Sequence, residues 1–367
     1  VPLKTQLETI LRPVARLLPR AIKIPLGRWW YGPAVAPPDT SSYDRRVQQE
    51  VSRFAEEEVI NDLPPIFHYW SNTYLRPQLE SFGFSYPEDF FARMIEAHAR
   101  AKGKSVRIVS IGAGNCDSEM TIARLLKERG IADFRFECLD ITDAMLKRGQ
   151  TLANESGMAA NFSFVNGDFN RWTPDGHYDV VMANQSLHHV MDLESLYSAI
   201  HQAIGNDGIF ITSDMIGRNG HMRWPEALQI VQEFWKEMPE SYRYNKQLRR
   251  TEHEFGNWDC SVEGFEGIRA EEVLPLAMQR FGFDFFLGYG NIIDPFIDRG
   301  FGPHFDPSKE WDRSFIDRIH ARDEEEMLSG RIKPTHVLAV MRRDRTVTPK
   351  VWQHMTPEFC VRPPTGK

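Results

Sequence analysis

The stretch Val109-Ser110-Ile111-Gly112-Ala113-Gly114-Asn115-Cys116-Asp117 ends an apolar run that begins at Val106, and it leads into a helical pattern from about Ser118. A strand that ends in glycines and passes directly into a helix marks an open α/β sheet, in which ligands lie outside the carboxyl ends of the strands. Glycines at 112 and 114 let the backbone turn sharply and approach a ligand with no Cβ in the way. The third glycine of a dinucleotide fingerprint would fall on Asp117, and an anion is unwelcome beside a pyrophosphate. A phosphate-binding P-loop is excluded because no Gly-Lys-Ser/Thr follows. The turn therefore favours a ligand without phosphates.

Outward from this turn, apolar runs recur at residues 134–139, 162–165, 178–183 and 208–212, with amphipathic helical patterns at 118–129, 143–156 and 193–204. Short β-rich runs separated by helices of ten or more residues predict a mostly parallel sheet with helices on both faces. Two further apolar runs, 281–289 and 336–341, flank a long polar insertion at 290–334. The strand ends carry polar chemistry in a consistent order. The second ends in Cys138-Leu139-Asp140, where a carboxylate can accept from both hydroxyls of a ribose. The third ends in Asn166-Gly167-Asp168-Phe169, with an acceptor for an adenine amino group and an apolar side chain to cover the ring. The fourth ends in Asn184-Gln185-Ser186-Leu187-His188-His189-Val190. Turn chemistry explains any one of these alone, but not all four in order.

On these residues, together with Asp179-Val180-Val181-Met182-Ala183-Asn184, the chain resembles the class I S-adenosylmethionine (SAM)-dependent methyltransferases. The resemblance implies a Rossmann-like seven-stranded sheet, mostly parallel, in which only the last strand (336–341) is antiparallel. It implies SAM as cofactor. Gly112, Ala113 and Gly114 would lie against its methionine part. Asp140, with Ile141 beside it, would hold the ribose, and Asp168 and Phe169 the adenine. Asn184 and Gln185 would stand next to the cofactor. Two positions depart from the family: Ser110 stands where an acid is usual, and Cys116 where a third glycine often follows. Asp117 or Glu119 is placed to compensate for these departures.

Methyl transfer from a sulfonium is already activated, so the protein mainly aligns the acceptor and, for a hydroxyl, removes its proton. His188 is the first candidate base and His189 the second, because an imidazole titrates near neutrality; shaping the loop is the competing role. The loop lacks the Asn/Asp-Pro-Pro-aromatic motif that the family uses on amide and nucleobase nitrogens. The resemblance is instead to enzymes of small molecules, which predicts O-methylation of a small molecule, sugar or glycan. A protein or RNA methyltransferase and a non-catalytic SAM-binding partner are the alternatives. Specificity is expected in residues 68–76, 224–268 and 291–334, with a lid and a dimer contact both open for the last. His304, Asp306 and His320 or His336 mimic a two-histidine, one-carboxylate iron site, but their segment looks helical, and no metal is expected.

The predicted organisation is a basic N-terminal arm (1–38), a helical extension (39–104), the SAM-binding domain (105–343) and a C-terminal tail or wrapping arm (344–367). The arm combines arginines with leucines near helical spacing, which suits a membrane surface or packing on the body or on a second subunit. A net charge of −7 disfavours a general nucleic-acid binder. Four scattered cysteines without a CxxC pair suit a reducing cytoplasm. No run approaches the ~20 apolar residues of a membrane span, and arginines interrupt the only candidate signal segment. A first residue Val rather than Met suits a processed or trimmed chain.

Overall fold

The computed structural model describes residues 40–56, 63–262 and 264–362. The basic arm, with its proposed membrane or subunit contact, lies outside the described residues. The chain divides into two units, residues 1–48 and 49–367. Of the first only the opening of helix α1 (Thr40–Glu56) is described. The second unit contains the sheet, the site and everything that follows.

Seven strands form along the predicted runs: β1 (Val106–Ile111), β2 (Phe134–Asp140), β3 (Phe162–Asn166), β4 (Val180–Asn184), β5 (Ile209–Met215), β6 (Gly282–Tyr289) and β7 (His336–Arg342). An eighth, β8 (Lys350–Val351), joins the edge, giving the order β8-β6-β7-β5-β4-β1-β2-β3. Strands β1 to β5 are mutually parallel. β7 runs antiparallel to both β5 and β6, as the family resemblance implies. The inner strands β1 and β4 are buried almost throughout because helices cover both faces, so alternate residues have no water to face. The eighth strand corrects the expected seven. With two residues it has no period to read, and its pairing to β6 is a tertiary event.

The order reverses between β1 and β4: from β1 the chain builds outward through β2 to β3, then returns to β4 on the other side. This is the switch point at which open α/β sheets form their cleft. Helices α5 (Asp117–Glu128), α6 (Asp143–Glu155) and α7 (Leu193–Ala203) follow β1, β2 and β4. Ahead of the sheet, α2 (Pro65–Trp70) continues through a π-helical turn at Ser71–Leu75 into α3 (Arg76–Ser81), followed by α4 (Pro87–Lys102).

The 290–334 insertion contains α11 (Glu310–Leu328), whose inner face buries Phe315, Ile316 and Ile319. Phe315 packs against Phe234 of α8 (Pro225–Glu237) and against Phe296 and Phe305. From the same helix Asp317 accepts hydrogen bonds from Tyr69 (2.9 Å) and Tyr74 (2.7 Å), and the His320 ring stacks on Tyr74. The aromatic-rich segment 68–76 is thus joined to the insertion. The last described residues wrap the β6 edge through β8 and α12 (Pro357–Cys360). No helix among the described residues is long and apolar enough to cross a membrane.

Candidate functional site

The four strand ends named from the sequence meet at one edge of the sheet. Gly112 and Gly114 have φ of +71° and +54°, a region that glycine enters without steric cost. A Cβ on Gly112 would lie 2.5 Å from that of Ser186, so the turn packs directly on the loop after β4. Cys116, at the position where the family often carries a third glycine, also has positive φ (+62°). Ala113 is buried beside this turn.

Asp140 at the end of β2 is buried and accepts backbone N–H bonds from Gly114 (2.9 Å) and Thr142 (2.8 Å), one on each oxygen. Burial raises its pKa, against the lowering effect of those two bonds. The Thr142 side chain bonds Asp140 as well, so of a carboxylate's roughly four acceptor positions about one stays open toward a ribose. Ile141 follows in the same turn, where its carbonyl accepts from the Asn166 amide. Asp168 caps the short turn Phe169–Arg171 by accepting from the Asn170 N–H (3.0 Å). Phe169 is half-buried against the core. The Asn184 amide donates to Ser118 (3.1 Å), and Gln185, at φ +55°, donates to the Ser213 hydroxyl (3.3 Å). The donor set suits a neutral ribose and a purine edge: a carboxylate with an open acceptor position, a glycine turn and an amide.

Ser110 departs from the family only in sequence. Its hydroxyl donates to Glu119 at 2.6 Å, and both residues are buried. A carboxylate therefore stands beside position 110, supplied from the first turn of α5. Burial raises the Glu119 pKa to about 7, although the Ser110 hydrogen bond pulls the other way.

The two histidines after β4 have different surroundings. His188 is 3% exposed; its Nδ1–H donates to Asp214 (2.7 Å), and Nε2 lies 3.4 Å from Glu266. Burial alone would lower its pKa, but the Asp214 charge and the hydrogen bonds to Asp214 and Glu266 lift it to about 10. His188 is thus held protonated at neutral pH, unlike the free imidazole assumed from sequence. Asp214 is fully buried and also accepts the backbone N–H of Ser186 and Leu187, which locks the loop to β5. His189 is more open: Nδ1 lies 3.1 Å from Glu50 and Nε2 3.8 Å from Glu266. Glu266 also lies 2.7 Å from His221 Nε2. The partial burial of Glu266 would raise its pKa, but its histidine partners hold it well below the usual carboxylate range.

Asp214, His221, Glu266 and Glu50 were not singled out from sequence. Asp214 carried one signal, an acid at the end of the fifth strand after Thr212 and Ser213. His221 and Glu266 lie on separate loops and are near the histidine pair only in space. The sequence mimic of an iron site does not assemble. His304 Nε2 bonds the Tyr244 carbonyl, His320 stacks on Tyr74, and His336 lies 3.3 Å from Asp294.

Residues 102–264 match a family model described as a methyltransferase domain. A sterol 24-C-methyltransferase of Aspergillus fumigatus is 26% identical over 115 residues. The match covers 31% of this chain and 29% of that relative, so less than a third of the relative's length is spanned. Among solved structures, a geranyl diphosphate C-methyltransferase from Streptomyces coelicolor aligns at 14% identity and a TM-score of 0.43, covering 82% of this chain and 98% of that one. An O-methyltransferase from a polyketide multienzyme of Brevibacillus brevis aligns at 11% identity and a TM-score of 0.40, covering 80% and 86%.

Proposed function

From a chain whose residues 102–264 are a methyltransferase domain of the class I SAM-dependent family, we propose that it transfers the methyl group of SAM to a hydroxyl of a small molecule. SAM supplies a methyl group already activated on a sulfonium. The chain's own residues bind and orient. Asp140 takes a ribose hydroxyl, Asp168 and Phe169 bracket the adenine, and the Gly112–Gly114 turn admits the methionine part. Asn184 and Gln185 hold the end of β4 beside it.

The observation that carries a hydroxyl acceptor is the group of proton-exchanging side chains on the loop directly after β4, where His188 and His189 stand beside Glu266. Within that group His189 is the better base. His188 is protonated and engaged at both ring nitrogens, whereas His189 is more exposed and has no aligned hydrogen bond at Nδ1. His188 then orients the loop through Asp214. Carbon methylation is the second reading, favoured by the match to a sterol C-methyltransferase.

Methyl-labelled SAM incubated with the full chain and cell extract tests this reading, with fractions separated into small molecules, lipid-linked glycans, protein and RNA. Label is expected in the small-molecule or glycan fraction, joined through oxygen, and absent with Asp140→Ala. A methyl group on carbon selects the second reading. Label confined to protein or RNA, or SAM binding without transfer into any fraction, overturns both.

A further inference from the structure

Three side chains on separate elements bring ligand atoms together: His188 on the loop after β4, His221 after β5, and Glu266 ahead of α9 (Ala270–Arg280). All the ligand atoms lie within 4.8 Å of one another. Glu266 Oε1 is 2.7 Å from His221 Nε2 and 3.4 Å from His188 Nε2. Two donors each at ~2.0–2.2 Å from one ion stand about 3–3.5 Å apart in tetrahedral or octahedral geometry, so these spacings need only small adjustment to admit an ion.

We infer that His188, His221 and Glu266 form a binding site for one divalent first-row transition-metal ion of the zinc, cobalt or iron(II) kind. Two imidazoles and one carboxylate suit those ions better than magnesium or calcium, which prefer oxygen-rich sets. The shell behind the ligands fits as well. The Nδ1–H of His188 donates to the buried Asp214, which aims Nε2 inward, and the ion takes the place of the Nε2 proton, which is released on binding. His221 holds a non-glycine backbone at φ +55°, a conformation that costs energy and aims its ring at Glu266.

Independent of these three residues, the neighbouring groups are left with bonds unmade. Glu50 is 7% exposed with Oε2 lacking any hydrogen-bond partner, and His189 Nδ1 beside it lacks one too. Buried polar atoms without partners are uncommon and call for a ligand, ion or water. Three protein donors leave coordination positions open. Water or an oxygen of a small molecule can fill such positions. Binding of the ion does not rest on the methyl-transfer reading, because the donors are complete without SAM.

The test uses the untagged full chain, stripped with chelator and titrated with Co²⁺ and then Zn²⁺. Expected are visible d–d absorption bands that saturate near one Co²⁺ per chain, their loss on adding Zn²⁺, and one zinc per chain by elemental analysis. His221→Ala and Glu266→Gln should each weaken Co²⁺ binding by at least about tenfold, while His304→Ala leaves it unchanged. Circular dichroism and SAM binding of each variant report whether it folds. The unsubstituted titration stands even if one does not. Absence of saturable bands in the unsubstituted chain, or full retention of the ion by folded His221→Ala and Glu266→Gln, overturns the site. Loss of methyl transfer with the metal still bound would instead count against the proposed function alone.

Discussion

Glu119 shows how burial and one hydroxyl partner set the behaviour of a single carboxyl. Its pKa of about 7 lies above the 4.5 of a free glutamate. Between those values the folded chain keeps a proton that the unfolded chain has released. Its stability contribution is therefore most favourable at low pH and is lost as pH rises through about 7. Asp323, buried near Asp294 and also lifted to about 7, acts in the same direction. Glu119→Gln should flatten part of this slope, gaining on the order of 1–3 kcal/mol at about pH 8 relative to the parent and little at about pH 5, read by urea unfolding at both. At Asp140, replacement by Ala removes the acceptor for a ribose and also leaves the Gly114 N–H unpaired. SAM affinity should fall roughly 10–100-fold by calorimetry, the loss expected for hydrogen bonds to a charged group. His189→Ala should lower turnover by about 10²-fold with SAM affinity within about twofold. An unchanged turnover would remove His189 from proton transfer. Of these residues, Asp140, Glu119 and the histidine pair were legible in the chain because each sits within a few positions of a strand end. The protonated state of His188 was not, since it depends on a partner brought in by the neighbouring strand.

Among the elements, the turn between β1 and α5 is the most constrained. Gly112→Ala forces a side chain into positive φ and to within 2.5 Å of the Ser186 Cβ. The variant should lose roughly 2–4 kcal/mol in chemical unfolding, with loss of SAM binding out of proportion to the residual fold. Helix α11 depends on its apolar face. Phe315 is 1% exposed and contacts aromatic rings on three neighbouring segments, so Phe315→Ala should cost about 3–5 kcal/mol by the same measurement. The insertion that contains this helix looked polar in sequence because its charged face dominates the composition. Its apolar residues are spaced so that only a helix gathers them. The partners of that face are Phe234 on α8, far away in the chain, and Phe296 and Phe305 from earlier in the insertion itself.

At the scale of the molecule, the last described residues complete the sheet. A chain truncated after Arg345 would uncover the β6 edge and the apolar surface that Met355 and Cys360, both buried, otherwise cover. It should unfold several degrees lower and aggregate more readily on heating, as an unprotected edge strand does; an unchanged midpoint would show the arm to be dispensable. The sequence by itself determined the alternation of strand and helix, the antiparallel β7 inferred from family resemblance, and the order of polar strand ends. Those features are local: they follow from hydrophobic period, turn residues and a short motif, all read within a few positions. Tertiary structure alone decided the eighth strand, which of Asp117 and Glu119 reaches Ser110, and the meeting of His188 with Asp214, His221 and Glu266. Crossover connections bring together side chains far apart in the chain, and the burial they impose alters the charge each group carries. Neither consequence has a local trace.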